Sequence, residues 1–161
     1  MSAAKIVTAA ELARVRDTLA AQGKKLVFTN GCFDLLHVGH VRYLQAARAL
    51  GDALVVAVNG DASVRALKGP SRPVNPENDR AEVLAALGCV DYVVLFPEVR
   101  VTGLLRAVRP HIYAKGGDYT PDTLDKEERV AIDAAGSEIH ILPLVPGRST
   151  TSILAAASCK N

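Results

Sequence analysis

The sequence contains no tryptophan, and only 4% of its residues are aromatic. This scarcity predicts a core built mainly from the aliphatic side chains of Val, Leu, Ile and Ala. The chain also lacks an excess of one charge, since 19 basic residues face 17 acidic ones and the net charge is only +2. So weak a bias gives no support for a nucleic-acid partner. No apolar run approaches the roughly 18 residues of a membrane span, so we expect no membrane partner either.

Cysteine is scarce as well, because Cys32, Cys89 and Cys159 are the only three and form no Cys-x-x-Cys pair. An odd number of widely spaced cysteines argues against a disulfide framework and is typical of a reducing compartment. The N-terminus has no pattern of a secretory leader, so the expected location is the cytoplasm. Cys32 follows a predicted strand, where two interpretations stay open: a reactive nucleophile, or a small apolar side chain that fills space.

Short apolar runs alternate with amphipathic stretches along the 161 residues, a length that fits one domain. The pattern predicts strands at 25–30, 53–59, 90–96, 111–115 and 138–144, and helices at 8–22, 38–50, 75–87, 98–108, about 125–135 and 149–157. The strand at 53–59 has no polar alternation, as expected for a strand buried on both faces. The sequence therefore predicts an α/β fold with a doubly wound, mainly parallel five-stranded sheet. One long polar loop is expected at 68–78, with Asn75 as N-cap of the helix that follows.

The stretch TNGCFDLLHVGH (29–40) places two histidines where a predicted strand gives way to a helix. His37 and His40 are one helical turn apart and can face the same point. In open parallel sheets ligands bind beyond the carboxyl ends of the strands, and the N–H groups of a helix N-terminus favour an anion there. Gly31 and Gly39 permit a close approach. The stretch predicts a phosphate site, although a zinc site or purely structural histidines remain alternatives.

A second predicted helix begins after a stretch rich in glycine and hydroxyl side chains, GRSTTS (147–152). It offers further N–H groups, and Arg148, to a phosphate. Lys68 lies in the polar loop, and Arg72 and Arg80 follow it. Any of the three could meet an anion, although Arg72 is better explained as a solvated loop cation. KGGDY (115–119) ends another strand. Two helix N-termini and several cations fit a polyphosphate better than a single phosphate. Neither a Gly-x-Gly-x-x-Gly fingerprint nor a P-loop is present, and no Ser–His–Asp or Cys–His pairing is evident. We therefore expect catalysis by positioning and charge stabilisation.

These motifs resemble a known family. GCFDLLHVGH (31–40) is similar to the His-x-Gly-His signature of the cytidylyltransferase-like nucleotidyltransferases, and STTSI (149–153) is similar to the second motif of that family. Over residues 24–155 the order of segments resembles the branch that makes ADP-heptose. The resemblance implies a Rossmann-like nucleotidyltransferase fold in a single domain (1–161), with an N-terminal helical extension (1–23) in place of a kinase and a catalytic core (24–157).

The resemblance also implies roles for individual residues. The catalytic groups would be His37, His40 and Lys68. Those binding the nucleotide would be Thr29, Asn30, Gly31, Phe33, Gly39, Lys115, Gly117, Asp118, Arg148, Ser149, Thr150 and Thr151, together with both histidines. Those facing the sugar phosphate would be Asp34, Asn59, Asp61 and Arg80.

The implied reaction transfers AMP from ATP to D-glycero-β-D-manno-heptose 1-phosphate, giving ADP-heptose and pyrophosphate. Mg²⁺ or another divalent cation would be held by the phosphates rather than by protein ligands. A CTP-dependent cytidylyltransferase acting on a polyol or amino-alcohol phosphate, such as glycerol 3-phosphate, stays as the alternative. The resemblance further implies a homodimer and a separate sugar kinase as partners.

Overall fold

A computed structural model describes residues 2–117 and 119–159 of the chain. Its centre is a sheet of five strands, all parallel: β1 (Leu26–Gly31), β2 (Ala53–Asn59), β3 (Tyr92–Phe96), β4 (Ile112–Gly116) and β5 (Glu138–Leu142). The spatial order is β3-β2-β1-β4-β5, so the chain first builds outward on one side of β1 and then on the other. The predicted doubly wound sheet is confirmed.

Helices cover both faces of the sheet and bury its aliphatic strands. They are α1 (Ala9–Ala21), α2 (Val38–Arg48), α3 (Asp61–Lys68), α4 (Glu77–Ala86), α5 (Thr102–Val108), α6 (Lys126–Ala135) and α7 (Thr150–Ser158), preceded by a short 3₁₀ turn (Ser2–Lys5). One buried cluster joins the sheet to α1, α5 and α6, and a second joins it to α2 and α4. Every residue of β2 is buried, as its unbroken apolar run predicts.

The first helix begins as the sequence predicts, because Thr8 and Glu11 form a capping box. Its residue Leu12 is fully buried in the same cluster as Leu26 and Tyr113, so the predicted extension packs into the core of the sheet. The chain just before it also reaches the sheet, since the Val7 amide donates to the Val93 carbonyl. In the described part of the chain, no helix is both long enough and apolar enough to cross a membrane.

One helix was not predicted, and the predicted starts of two others were wrong. Helix α3 occupies 61–68, so Lys68 is the last residue of a helix and not part of the loop. The sequence hides α3 because only Ser63 and Val64 are buried in it, which is too few for a periodic apolar signal. Helix α4 begins at Glu77, and the side chain of Asn75 bonds to Asp34 instead of capping the helix. Helix α5 begins at 102 instead of 98.

The reversal of strand order between β1 and β4 creates a crevice at the carboxyl edge of the sheet. Gly31 of β1 lies level with Val58 of β2, and Gly116 of β4 lies level with Leu142 of β5. The turns that leave these strands carry the motifs singled out in the sequence. The fold therefore brings distant segments of the chain to one place.

Candidate active site

A cavity of about 660 Å³ opens at this carboxyl edge. Most residues that the sequence and the resemblance single out line it: Asn30, Gly31, Phe33, Asp34, His37, Gly39, His40, Asn59, Lys68, Lys115, Arg148, Ser149, Thr150 and Thr151. Thr29, Asp61, Arg80 and Gly117 are not among its lining residues within the described chain. Asp118 lies outside the described residues. The histidine motif, the last helix and the end of β4 thus share one cavity.

His37 is the N-cap of α2, a role that fixes the direction of its ring. Its Nδ1 accepts a hydrogen bond from the Gly39 amide over 3.1 Å. In the neutral ring the proton must then be on Nε2, which is free to donate to a ligand. A Cβ at position 39 would come within 2.8 Å of the His37 ring, so any larger residue there would push the ring out of this position.

His40 packs between His37 and Phe33, with ring centroids 3.9 Å and 5.4 Å away. Burial, and secondarily the neighbouring His37, lowers the pKa of His40 to about 4. Burial and then the Arg148 guanidinium lower the pKa of His37 as well. Both imidazoles are therefore neutral at pH 7, a state in which each ring has one N–H to donate and carries no fixed charge. Nδ1 of His40 is fully enclosed and has no hydrogen-bond partner among the described residues.

The low pKa of His40 predicts a specific dependence of stability on pH. The folded protein keeps this ring neutral down to about pH 4, whereas the unfolded chain protonates it near its ordinary pKa of 6.5. The unfolded state then binds more protons, so the free energy of unfolding should fall as the pH drops from 6.5 toward 4. In His40→Gln this part of the decline should disappear. Urea denaturation of both proteins at pH 7, 6, 5 and 4.5 measures it, and equal pH slopes would contradict the prediction.

The turn between β1 and α2 has an unusual backbone conformation. Phe33 has a φ of 47°, in the left-handed region that residues other than glycine rarely adopt. Its ring lies so close to Gly31 that a Cβ there would be 3.0 Å from a ring carbon. Burial raises the pKa of the Cys32 thiol. A protonated thiol is a poor nucleophile, so the structure favours the interpretation of Cys32 as an apolar filler.

The N-terminus of α7 lies beside the turn that leads into α2. Ser149 is its N-cap and forms a capping box with Ser152. The Thr150 hydroxyl donates to the Leu35 carbonyl over 3.1 Å, which ties the two segments together. Arg148 is also close, since its Cβ would lie 3.5 Å from a Cβ added to Gly39. Two helix N-termini and one guanidinium therefore meet at the same end of the cavity, which favours anions there.

Asp34 holds the loop that follows α3. Its buried carboxylate accepts hydrogen bonds from the Val74 and Asn75 amides, each at 2.9 Å, and from Arg72 Nε at 2.6 Å. Burial alone would raise the pKa of Asp34, but these donors outweigh it, and the pKa lies below its usual range. Arg72, which the sequence favours as a solvated loop cation, forms a largely buried ion pair with it. A contact of Asp34 with the sugar phosphate stays a prediction.

Arg80 is 2% exposed, and its guanidinium is fully engaged beneath the cavity. Nη1 donates to the carbonyls of Cys32 and Asn59, at 2.6 and 2.8 Å, and Nη2 donates to Asp61 at 2.8 Å. Nε donates to the Asn75 carbonyl. The structure thus gives Arg80 and Asp61 a positioning role at the ends of β1 and β2. Their predicted contact with the substrate stays a prediction.

Several functional candidates carry no recognisable signal in the sequence. The Tyr43 hydroxyl donates to the Ala114 carbonyl and lies 2.7 Å from the Thr29 hydroxyl, which pins α2 against β1 and β4. Burial raises the pKa of Tyr43 to about 12, so this donor keeps its proton. On the other side of the cavity, the Tyr113 hydroxyl contacts both Asn30 and Glu128. These contacts join residues more than ten positions apart, so no local spacing reveals them.

The side chains around the two histidines argue against a metal ion that the histidines coordinate. Among the described residues, no group of three His, Cys, Asp or Glu side chains could hold a metal ion. One nitrogen of His37 is already occupied by the Gly39 amide. The zinc alternative therefore finds no support in the geometry.

A parallel Rossmann-like sheet with paired imidazoles at a helix N-terminus, beside a second helix N-terminus, defines a nucleotidyltransferase-type domain. A family model described as Cytidylyltransferase-like matches residues 28–155. The chain belongs to the cytidylyltransferase-like family.

Curated relatives match most of this chain. The chain is 54% identical over 143 residues to the bifunctional protein HldE of Syntrophotalea carbinolica, an alignment that covers 87% of this chain and 29% of that protein. It is 49% identical over 153 residues to the bifunctional protein HldE of Geobacter metallireducens, covering 95% of this chain and 31% of that protein. The chain thus spans about three tenths of the length of these curated relatives.

Two solved structures share the fold. The lipopolysaccharide core biosynthesis protein of Thermoplasma volcanium is 32% identical with a TM-score of 0.62, and the match covers 76% of this chain and 98% of that one. The pantoate-beta-alanine ligase of Francisella tularensis matches 95% of this chain and 76% of its own, with 15% identity and a TM-score of 0.55. At that identity the second likeness concerns the fold alone.

Proposed function

We propose that this chain transfers AMP from ATP to D-glycero-β-D-manno-heptose 1-phosphate, releasing pyrophosphate and forming ADP-heptose. The observation that carries the proposal is the meeting of two neutral, mutually packed imidazoles with two helix N-termini at one end of a cavity. The HldE relatives and the lipopolysaccharide core biosynthesis protein support the choice of substrates. The catalytic core would run from 24 to 157, and the reaction would take place in the cytoplasm.

The mechanism needs no covalent intermediate with the protein. A phosphate oxygen of the sugar phosphate attacks the α-phosphorus of ATP, and the bond from that phosphorus to the bridging oxygen of pyrophosphate breaks in line. His37 Nε2–H donates to an oxygen of the α-phosphate, and this bond strengthens as charge builds there. The amides that begin α2 and α7, with Arg148, hold the departing phosphates. Lys68 at the end of α3 and Lys115 at the end of β4 supply further positive charge.

A divalent cation fits this cavity when bound mainly by the phosphates of the substrates and by water. Asp34, the carboxylate on the turn before α2, already accepts three N–H donors and is poorly available to a metal. Mg²⁺ commonly keeps several waters and binds through substrate phosphates. When bound, it would neutralise the negative charge of the triphosphate. The residues described above would orient the nucleotide and the acceptor.

Two partners belong to the same proposal. The relatives are named bifunctional, which supports a sugar kinase as the supplier of the heptose 1-phosphate. Helix α7 has no buried residue although it contains Ile153, Leu154 and three alanines. Such an apolar, uncovered helix is in keeping with a homodimer, which sedimentation of the purified protein tests.

Release of pyrophosphate tests the proposed reaction directly. Purified protein is incubated with Mg²⁺, one nucleotide (ATP, CTP, GTP or UTP) and one acceptor (heptose 1-phosphate, a hexose 1-phosphate or glycerol 3-phosphate). We expect the highest kcat/KM with ATP and the heptose phosphate. Turnover only with CTP and glycerol 3-phosphate would overturn the proposal in favour of a cytidylyltransferase.

A further inference from the structure

Glu128, on the first turns of α6, is a buried carboxylate that the mechanism above does not use. It is 7% exposed and lines the cavity. Its nearest described polar contacts are weak: the Tyr113 hydroxyl lies 3.4 Å from Oε2, and Lys115 Nζ lies 4.0 Å away. A carboxylate withdrawn from water normally gains strong donors in return.

The Tyr113 hydroxyl does not satisfy Glu128, because it has only one proton to give. That proton goes to Asn30 Oδ1 at 2.9 Å, the shorter of its two contacts. Burial, and then the charge of Glu128, raise the pKa of Tyr113, so the hydroxyl stays protonated. Lys115 is shared as well, since its ammonium lies 4.8 Å from the centroid of the Tyr119 ring. Oε2 of Glu128 therefore retains capacity for a donor from a ligand.

The neighbouring carboxylate has no such capacity. Asp125 caps α6 by accepting the amides of Glu127 and Glu128, and its other oxygen pairs with Arg100 at 2.6 Å. Among the described carboxylates on this side of the cavity, Glu128 is thus the one without a strong hydrogen-bond donor. A carboxylate accepts hydrogen bonds and repels phosphate, so the partner must be a donor of O–H or N–H groups.

The position of Glu128 indicates which hydroxyls it meets. Helix α6 covers the sheet face opposite to α2, where the histidines stand. In an in-line displacement the attacking and leaving oxygens lie on opposite sides of the phosphorus. With pyrophosphate held at the α2 and α7 N-termini, the acceptor must approach from the side of α6. Its phosphate would point to the histidines and its hydroxyls to Glu128.

We infer that Glu128 is a specificity-determining residue that binds the hydroxyl groups of the acceptor sugar, with Asn30 and Tyr113 positioned beside it. This inference rests on the proposed function. It goes further in naming the residue that distinguishes a polyhydroxylated acceptor from a simple phosphate. The Asn30–Tyr113 bond holds the amide in place, and Glu128 supplies the charged acceptor.

Glu128→Gln tests the inference, and Glu127→Gln is its matched control. Both substitutions remove one charge from the first turn of α6, but Glu127 is exposed and does not line the cavity. We expect Glu128→Gln to lower kcat/KM for the heptose phosphate about 10- to 100-fold, the range of a lost charged hydrogen bond. The KM for ATP should stay within about twofold. Glu127→Gln should resemble the wild type in both.

The other outcomes distinguish a failure of this inference from a failure of the proposed function. If Glu128→Gln keeps the wild-type kcat/KM for the heptose phosphate, the inference is overturned. It is also overturned if the variant raises the KM for ATP but not the KM for 2′- and 3′-deoxyATP, because Glu128 would then bind the ribose of the nucleotide. If the wild type uses glycerol 3-phosphate instead of the heptose phosphate, the proposed function fails. The inference then stands only if Glu128→Gln lowers kcat/KM for that polyol. If no acceptor releases pyrophosphate, both fail.

Discussion

Replacing His37 by alanine is expected to lower kcat by about 100- to 1000-fold, the usual effect of removing one preorganised donor to a developing charge. The neutral ring carries its proton on Nε2 because Nδ1 accepts the Gly39 amide. The KM for ATP should change much less, because the lost bond is strongest in the transition state. Initial rates of pyrophosphate release, measured over a range of ATP concentrations, give kcat and KM separately.

His37→Asn separates the catalytic role of this residue from its capping role. Asparagine is a favoured N-cap and can accept the Gly39 amide, but it lacks the distant N–H of the imidazole. We expect His37→Asn to lose nearly as much activity as His37→Ala. Its thermal stability should stay near that of the wild type, while the alanine variant loses about 1 kcal/mol. A loss of less than tenfold in both variants would contradict the role given to His37.

The sequence predicts well those features that depend on local spacing. The five apolar runs became the five strands within two residues at each end, and the capping box of Thr8 and Glu11 is present. His37 and His40 face each other because they lie one turn apart at the start of a helix. Ser149 caps the last helix for the same local reason. In each case the physical cause lies within a few residues of the chain.

Features that depend on contacts between distant residues could not be predicted. The carboxylate of Asp34 meets amides about forty positions later in the chain, and no spacing rule links the two segments. The resemblance implies a ligand contact for this side chain, which stays a prediction, and the structure shows that the same side chain holds a loop. Glu128 looks like one of several charges on an exposed helix until the fold buries it in the cavity wall. Such polar groups acquire a role only from tertiary packing.

Arg80 is the clearest such case, and its replacement is expected to have the largest effect on stability. The Cys32 carbonyl lies directly after β1 and the Asn59 carbonyl ends β2, and both accept from the same nitrogen of its guanidinium. Asp61 neutralises the charge from the start of α3. Losing Arg80 leaves the Cys32 and Asn59 carbonyls without this donor and the partly exposed Asp61 without its partner, which together should cost about 3–5 kcal/mol. Arg80→Met should lose this much in urea denaturation.

Two further variants make the test specific. Arg80→Lys keeps the charge but lacks the planar fork, so it cannot reach both strand ends and Asp61 at once. We expect it to recover only part of the lost stability. Arg129→Met is the control, because Arg129 pairs with Asp133 on the surface of α6, where such pairs contribute less than about 1 kcal/mol. If Arg80→Met were as stable as this control, the four hydrogen bonds of the Arg80 guanidinium would contribute little net stability. The ends of β1 and β2 would then be held together by the backbone hydrogen bonds between the strands and by the packing of their aliphatic side chains.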